Sequence, residues 1–240
     1  MLIPWLGALT AGLFAAGLYM TFFTAPADYQ QGETVRIMFI HVPAAWLSLF
    51  VYGVMTLAAL GTLVWRHPLA DAAQKTAAPL GGAFTFICLV TGSLWGKPMW
   101  GTWWVWDARL TSELVLLLIY LGLAALWRTI EDPGKAARAA AILTLVGVVN
   151  IPVIKFSVDW WNTLHQPASV FRMGGSTIHP SMLWPLLVMA LAASLLFLTL
   201  HLMAIRNEIL RRRLRRLSIL AARETDAPRR AMELERGGAL

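Results

Sequence analysis

Tryptophan and histidine are the residue types in this chain whose spacing suggests chemistry. Five of the twelve tryptophans fall within residues 95–106, in the stretch Trp-Gly-Lys-Pro-Met-Trp-Gly-Thr-Trp-Trp-Val-Trp-Asp that ends at Asp107. Indole rings offer broad apolar faces, and imidazole nitrogens commonly hold haem iron from its two sides. A six-coordinate haem needs two imidazoles on opposite faces, so this set of residues indicates haem held by two histidines beside an aromatic shelf.

The elements that position these residues are membrane spans. Of the 240 residues, 58% are hydrophobic and 14% are charged, whereas soluble domains carry roughly 25% charged residues. Several apolar runs reach about 20 residues, the length that crosses a bilayer as a helix. We therefore predict an all-α integral membrane protein, a six-transmembrane-helix bundle with a periplasmic tryptophan-rich loop.

The predicted spans follow the apolar runs. Their approximate limits are 2–23, 41–65, 77–94, 112–127, 139–156 and 181–204. Residues 1–205 form the membrane domain, and residues 206–240 form a basic tail, with a helical start and then fraying. The first run lacks a preceding Lys or Arg and is longer than a usual signal core, so we expect an uncleaved span.

The orientation follows from the basic residues. Fifteen Lys and Arg lie in the connectors near residues 66–78 and 128–138 and in the tail, against five on the other side. The positive-inside rule places the fifteen in the cytoplasm. Both termini are then cytoplasmic, and in a Gram-negative cell the tryptophan cluster faces the periplasm from the inner membrane. This topology accounts for the net charge of +7 better than nucleic-acid binding does.

Three of the five histidines, His41, His165 and His179, lie on that outer side. His67 and His201 lie at cytoplasmic ends of spans, where an interfacial role is expected. If the piece around His165 is helical, Trp161 shares a face with it at i, i+4. Each outer histidine alone is more often structural than a ligand, but two of them beside an aromatic cluster favour haem.

The tryptophan cluster also has a simpler interpretation, because Trp collects at membrane interfaces without any ligand. Trp100, Trp103, Trp104 and Asp107 fit i, i+3, i+4, i+7 spacing, which predicts one face of a short amphipathic helix lying in the interface. Gly96, Pro98 and Gly101 argue against simple continuation of the third span. We favour a ligand platform over plain anchoring.

Arginines near the cluster could bind haem propionates. Arg matches carboxylates with bidentate hydrogen bonds, which makes Arg36 and Arg109 the candidates. The alternative is that they pair with Asp107, Glu113 or lipid headgroups.

The cluster and two further stretches resemble a known family. The cluster with its continuation Ala-Arg-Leu-Thr-Ser-Glu, the stretch Arg36-Ile-Met-Phe-Ile-His41-Val-Pro-Ala-Ala-Trp46 and the stretch Trp160-Trp-Asn-Thr-Leu-His165-Gln-Pro are similar to the haem exporter protein C (CcmC) family of cytochrome c maturation, a tryptophan-rich (WWD) group. The resemblance covers roughly residues 1–205.

This resemblance implies a non-enzymatic component that displays haem b at the periplasmic face. It implies delivery of haem to the chaperone CcmE, and a complex with the ATP-binding CcmA, the membrane subunit CcmB and the small single-span CcmD. It also implies that His41 and His165 are the axial ligands. The implied platform consists of Trp95, Trp100, Trp103, Trp104, Trp106 and Asp107.

Two other functions remain as alternatives. A cytochrome b-like oxidoreductase would bury paired histidines deep in its spans, where this chain has none. A permease that moves haem through the membrane would need a polar route, and ionisable residues are almost missing from the span interiors. The sequence has no P-loop, His-Glu-x-x-His or Gly-x-Ser-x-Gly motif. Its single cysteine, Cys88, forms no Cys-x-x-Cys motif and suits a small buried role.

Overall fold

The predicted bundle of six spans is confirmed. A computed structural model describes residues 2–237 and, as far as burial and side chains are concerned, residues 2–222. Six of its helical segments are long and apolar enough to cross a membrane. The described residues contain no strand beyond one isolated bridge between Asp28 and Gly32. The protein is therefore a multi-pass helical membrane protein.

The second, third, fourth and last helices are longer than the apolar runs that predict them. They are α1 (Leu2–Tyr19), α2 (Met38–Trp65), α3 (Pro68–Trp100), α4 (Ala108–Thr129), α5 (Pro133–Gly147), α6 (Asn150–Trp160) and α7 (Pro180–Gly237). A π-helical turn, Met20–Thr24, extends α1, and a 3-10 helix, Glu33–Ile37, precedes α2. We call the end of the bundle where α3 stops and α4 starts the aromatic end, and the other end the basic end.

The third span continues past its predicted end. α3 includes Gly96 and Pro98 and stops at Trp100, where Gly101 adopts the left-handed conformation (φ 76°) and donates its N–H to the Lys97 carbonyl. Proline inside a membrane helix is tolerated where its surroundings satisfy the freed carbonyl. The expectation that these residues interrupt the helix at Leu94 was wrong.

Residues 101–107 do not form the predicted amphipathic helix. The segment is non-helical from Gly101 to Asp107, and only Trp100 of the four expected face residues lies in a helix. The left-handed glycine ends helical propagation, and Asp107 then starts α4 as its N-cap. Similarly, α6 ends at Trp160, so Trp161 and His165 do not share a helical face.

The fifth span consists of two helices. α5 and α6 meet at residues 148–149, just before Asn150 and Pro152. Pro152 lacks the N–H that would continue the helical bonding pattern, and the Asn150 amide donates to the Ser112 carbonyl of α4 at 2.9 Å. The break brings α6 against the start of α4.

Two buried tyrosines pack against glycines of neighbouring helices at the centre of the bundle. The fully buried Tyr120 and Tyr52 pack edge to face, with ring centroids 5.5 Å apart. A Cβ at Gly81 or Gly147 would lie 2.2 Å from Tyr120 or Tyr52 respectively. Their hydroxyls donate to carbonyls of neighbouring helices, as buried polar groups in membrane bundles do.

Ion pairs join α3 to α7 at the basic end. Lys75 lies 2.7 Å from Glu208, and Arg212 bonds both Glu208 and Asp71. α7 then continues without interruption to Gly237, well past the short helical start expected for the tail. Arg, Leu and Ala favour helix, which is consistent with this extension.

Candidate functional site

A narrow cleft at the aromatic end contains most of the predicted site residues. The enclosed space inside it is only about 50 Å³, so the cleft as it stands is narrower than the usual small-molecule site. α2, α3, α4 and α6 form its walls together with the segments 101–107 and 161–179. The lining residues used below are His41, Gly92, Trp100, Trp103, Trp104, Arg109, Glu113 and His165.

His41 is held by groups of α3. Its Nδ1 lies 3.0 Å from the Cys88 carbonyl and 3.1 Å from the Thr91 hydroxyl. A carbonyl can only accept, so Nδ1 carries the proton and Nε2 has a free lone pair. Gly92 leaves room for the ring, since a Cβ there would lie 2.9 Å from His41 Cε1.

His165 comes from the segment between α6 and α7 and is held by Asp107. Thr163 donates its hydroxyl to Asp107 Oδ2, and His165 Nδ1 lies 3.3 Å from the Thr163 oxygen and 3.6 Å from Asp107 Oδ2. These acceptors favour a proton on Nδ1. Burial lowers the pKa of His165, assisted by the positive Arg109, while Asp107 opposes the shift. The imidazole is therefore neutral near neutral pH.

The two histidines share this arrangement. Both line the same cleft, both engage Nδ1, and Nε2 of neither has a hydrogen bond among the described residues. A neutral imidazole oriented through Nδ1 is the form that binds a metal through Nε2. An iron inside a porphyrin needs only two such ligands, so the pair suits haem.

The indoles differ in their relation to the cleft. Trp100 packs edge to face on His165, with ring centroids 4.9 Å apart. Trp95 packs in the same way on His41, with centroids 5.7 Å apart, but it does not line the cleft. Trp104 lines the cleft, and its buried Nε1 has no hydrogen-bond partner. This unpaired donor fits a ligand that brings an acceptor, as a haem propionate does.

Trp103 and Trp106 are largely exposed, at 53% and 77%. Trp103 lines the cleft opening, whereas Trp106 packs on Trp104 at 5.4 Å and does not line it. The segment that carries them is fixed by a hydrogen bond from Ser93 to the Trp103 carbonyl, at 2.8 Å.

The two candidate arginines are not equivalent. Arg109 lines the cleft, and one of its guanidinium nitrogens donates to the Ile154 carbonyl at 2.8 Å. Arg36 is turned away from the cleft; it pairs with Glu33 at 2.5 Å and donates to the Thr21 carbonyl of the π-helical turn. Of the two, only Arg109 lies among the residues that line the cleft.

The remaining histidines make structural contacts outside the cleft. His67 caps the start of α3 by accepting from the Leu69 N–H, and His179 bonds Ser181 at the start of α7. His201 is buried against Phe197.

Comparison with known proteins identifies the family. The model of the family "Heme exporter protein C" (CcmC) matches residues 1–220. A heme exporter protein C of Bradyrhizobium diazoefficiens is 70% identical over 220 residues, covering 92% of this chain and 83% of the relative. The chain belongs to the CcmC family.

Other CcmC relatives agree with this assignment. The heme exporter protein C of Escherichia coli K12 is 54% identical over 208 residues, covering 87% of this chain and 84% of its own. A putative cytochrome c biosynthesis ccmC-like mitochondrial protein of Marchantia polymorpha is 50% identical over 187 residues, 78% of each chain. Membership of the CcmC family makes this chain a haem-handling membrane component of cytochrome c maturation.

Sequence reasoning missed three contributors to this CcmC cleft. Gly92 lies outside the stretches that resemble the family and Thr163 lies inside one of them, but the role of each depends on which side chain packs against it. Glu113 did carry one, since an ionisable residue inside an apolar span usually faces a functional cavity. It was considered only as an ion-pair partner for the arginines.

Proposed function

We propose that this chain binds haem in the cleft between His41 and His165 and delivers it to the haem chaperone CcmE. The observation that carries the proposal is the matched pair of imidazoles, each held through Nδ1 with Nε2 free. Bound iron would take Nε2 of both residues. Haem is the substrate here, and the protein contributes its binding, orientation and release.

The aromatic residues would hold the macrocycle. Trp100 and Trp104 line the cleft, Trp95 supports His41, and Asp107 fixes His165. Because the cleft is narrow, we expect Trp103 and its segment to move outward when the macrocycle enters. We assign one propionate to Arg109 and Trp104 Nε1; the contacts of Arg36 favour a structural role for it.

The cargo is proposed to be haem b, bound without a covalent link. A covalent attachment of the c type requires cysteines, and the single Cys88 is buried. The exposed rings of Trp103, at the cleft opening, and of Trp106, which packs on Trp104 outside the cleft, would meet the acceptor CcmE. Their large apolar area suits a transient protein contact.

The proposed topology places the cleft in the periplasm and both termini in the cytoplasm. The excess of Lys and Arg at the basic end supports it. CcmB and CcmD would accompany the chain in the membrane. ATP hydrolysis would belong to CcmA, which agrees with the lack of a P-loop in this sequence.

Haem retention in histidine variants tests the proposal. We expect His41→Ala and His165→Ala each to lose most of the visible haem absorbance of the purified protein. His67→Ala is the matched control, because His67 caps a helix at the basic end and should retain haem. Unchanged absorbance in both cleft variants would refute the ligand assignment.

Delivery to CcmE needs its own experiment. We expect Trp103→Ala to retain haem but to load less onto CcmE in membranes that contain both proteins. Trp184→Ala is the control, since Trp184 is similarly exposed, at 63%, and lies on α7 outside the cleft. Equal loading by the Trp103 variant and the wild type would remove Trp103 from the transfer step.

A further inference from the structure

Glu113 is a buried carboxyl in the wall of the haem cleft. Its side chain lies in the second turn of α4, one turn after Arg109, and is 6% exposed. It lines the cleft together with both imidazoles. Burying a carboxyl in a membrane bundle costs free energy, so its position suggests a role toward the ligand.

The surroundings of Glu113 leave its charge without a direct counterion. Ser48 donates its hydroxyl to Glu113 Oε1 at 2.7 Å. Among the described residues, no Lys, Arg or His forms an ion pair with Glu113. Arg109 uses one nitrogen on the Ile154 carbonyl instead. The carboxyl therefore has a hydrogen-bond partner in Ser48 but no ion pair at contact distance among the described residues, the nearest named cation being Arg109, one helical turn away.

The charge of the proposed ligand supplies the missing partner. Two neutral imidazoles and a porphyrin dianion leave a ferric centre with one positive charge and a ferrous centre with none. A buried anion stabilises a nearby cation strongly, because little solvent screens the pair. Local charge and burial are among the levers by which proteins set the potential of a metal cofactor.

We propose that the Glu113 carboxylate compensates the positive charge of ferric haem in this cleft and so lowers the midpoint potential of the bound iron. The inference rests on the proposed haem binding by His41 and His165. In this role Glu113 acts through its charge, from the wall of the cleft, and does not ligate iron. The chain would then hold its cargo preferentially in the oxidised form.

A redox titration of the haem-loaded full-length protein tests this role. We expect Glu113→Gln, which keeps the size and the hydrogen bond to Ser48, to retain the bis-imidazole spectrum. At a fixed solution potential it should lower the ferric-to-ferrous ratio roughly tenfold, which is a rise of about 59 mV in midpoint potential. Glu208→Gln is the matched control. Glu208 is equally buried, at 6%, but lies at the basic end, and its variant should keep the wild-type potential.

Haem-loaded Glu113→Gln with an unchanged potential would overturn the inference and leave the haem site intact. If the variant holds haem too weakly to titrate, haem-free protein is titrated separately with ferric and ferrous haem. Selective loss of ferric affinity supports the role, and equal loss of both overturns it. Glu113→Ala provides the same readouts if the glutamine variant does not fold. Wild-type protein without any haem absorbance would refute the proposed function itself.

Discussion

Gly92 gives the sharpest test of how the cleft holds His41. In Gly92→Ala, the new Cβ would lie 2.9 Å from His41 Cε1, whereas carbon atoms pack at about 3.5–4.0 Å. The ring must retreat by roughly 0.6–1 Å. A shift of that size lengthens the contact of 3.0 Å between Nδ1 and the Cys88 carbonyl beyond a normal hydrogen bond.

The cost of this shift sets the expected loss of haem. Overpacking of a close contact costs about 1–3 kcal/mol, which corresponds to a decrease in haem affinity of roughly fivefold to 150-fold if the whole cost falls on the bound state. Folding should suffer less, because alanine exceeds glycine in helix propensity by about 1 kcal/mol. The expected result is a stable helical protein with weak haem binding.

The assay is a titration of haem-free protein with haem, followed by visible absorbance, with thermal unfolding measured in the same detergent. Gly53→Ala is the control, since Gly53 lies on α2 with no atom within 4 Å of the added Cβ. If Gly92→Ala binds haem as tightly as Gly53→Ala, the orientation of His41 does not depend on the space beside Gly92 and our account of it is wrong.

Three further predictions follow from the contacts. Arg109→Ala should reduce haem retention in purified protein, whereas Arg36→Ala should lower the thermal midpoint and leave the haem content per folded protein unchanged; the reverse pattern would exchange their roles. Burial lowers the pKa of His165 from its ordinary 6.5, so the folded protein favours the neutral imidazole. The stability that this preference contributes is present above about pH 6.5 and is lost as the pH falls through the lowered pKa. NMR titration of the imidazole in haem-free protein should give a midpoint below 6.5, and a higher value would contradict it. Glu208→Gln should destabilise the protein by about 1–3 kcal/mol, less than for a fully buried pair because the Lys75 side chain is 25% exposed, and chemical unfolding with no measurable change would show that this ion pair contributes nothing.

The spans could be predicted from the sequence because hydropathy and length decide them. Composition also favoured a haem ligand at one end of the bundle, and the family resemblance singled out His41 and His165. Periodicity failed for residues 101–107, since the i, i+3, i+4, i+7 pattern of the tryptophans assumes a helix that Gly101 ends. The pattern correctly grouped Trp100, Trp103 and Trp104 at one site, but it wrongly predicted a helical backbone for residues 101–107.

The roles of individual side chains depended on tertiary contacts that no local pattern encodes. Arg36 and Arg109 look equivalent in the sequence, since one lies five residues before His41 and the other directly follows the tryptophan cluster. A tertiary contact separates them: Arg36, in the 3-10 helix before α2, donates to the Thr21 carbonyl of the π-helical turn. Gly92 is likewise one of eighteen glycines until the His41 ring is placed beside it.

Asp107 uses its two carboxylate oxygens on different parts of the chain. Oδ1 accepts the Leu110 N–H at the start of α4, while Oδ2 accepts from Thr163 in the segment that carries His165. Asparagine would keep one acceptor and turn the other into a donor, so it can serve the helix or the segment but not both. The residue choice at this position is therefore constrained twice, by two neighbours far apart in sequence.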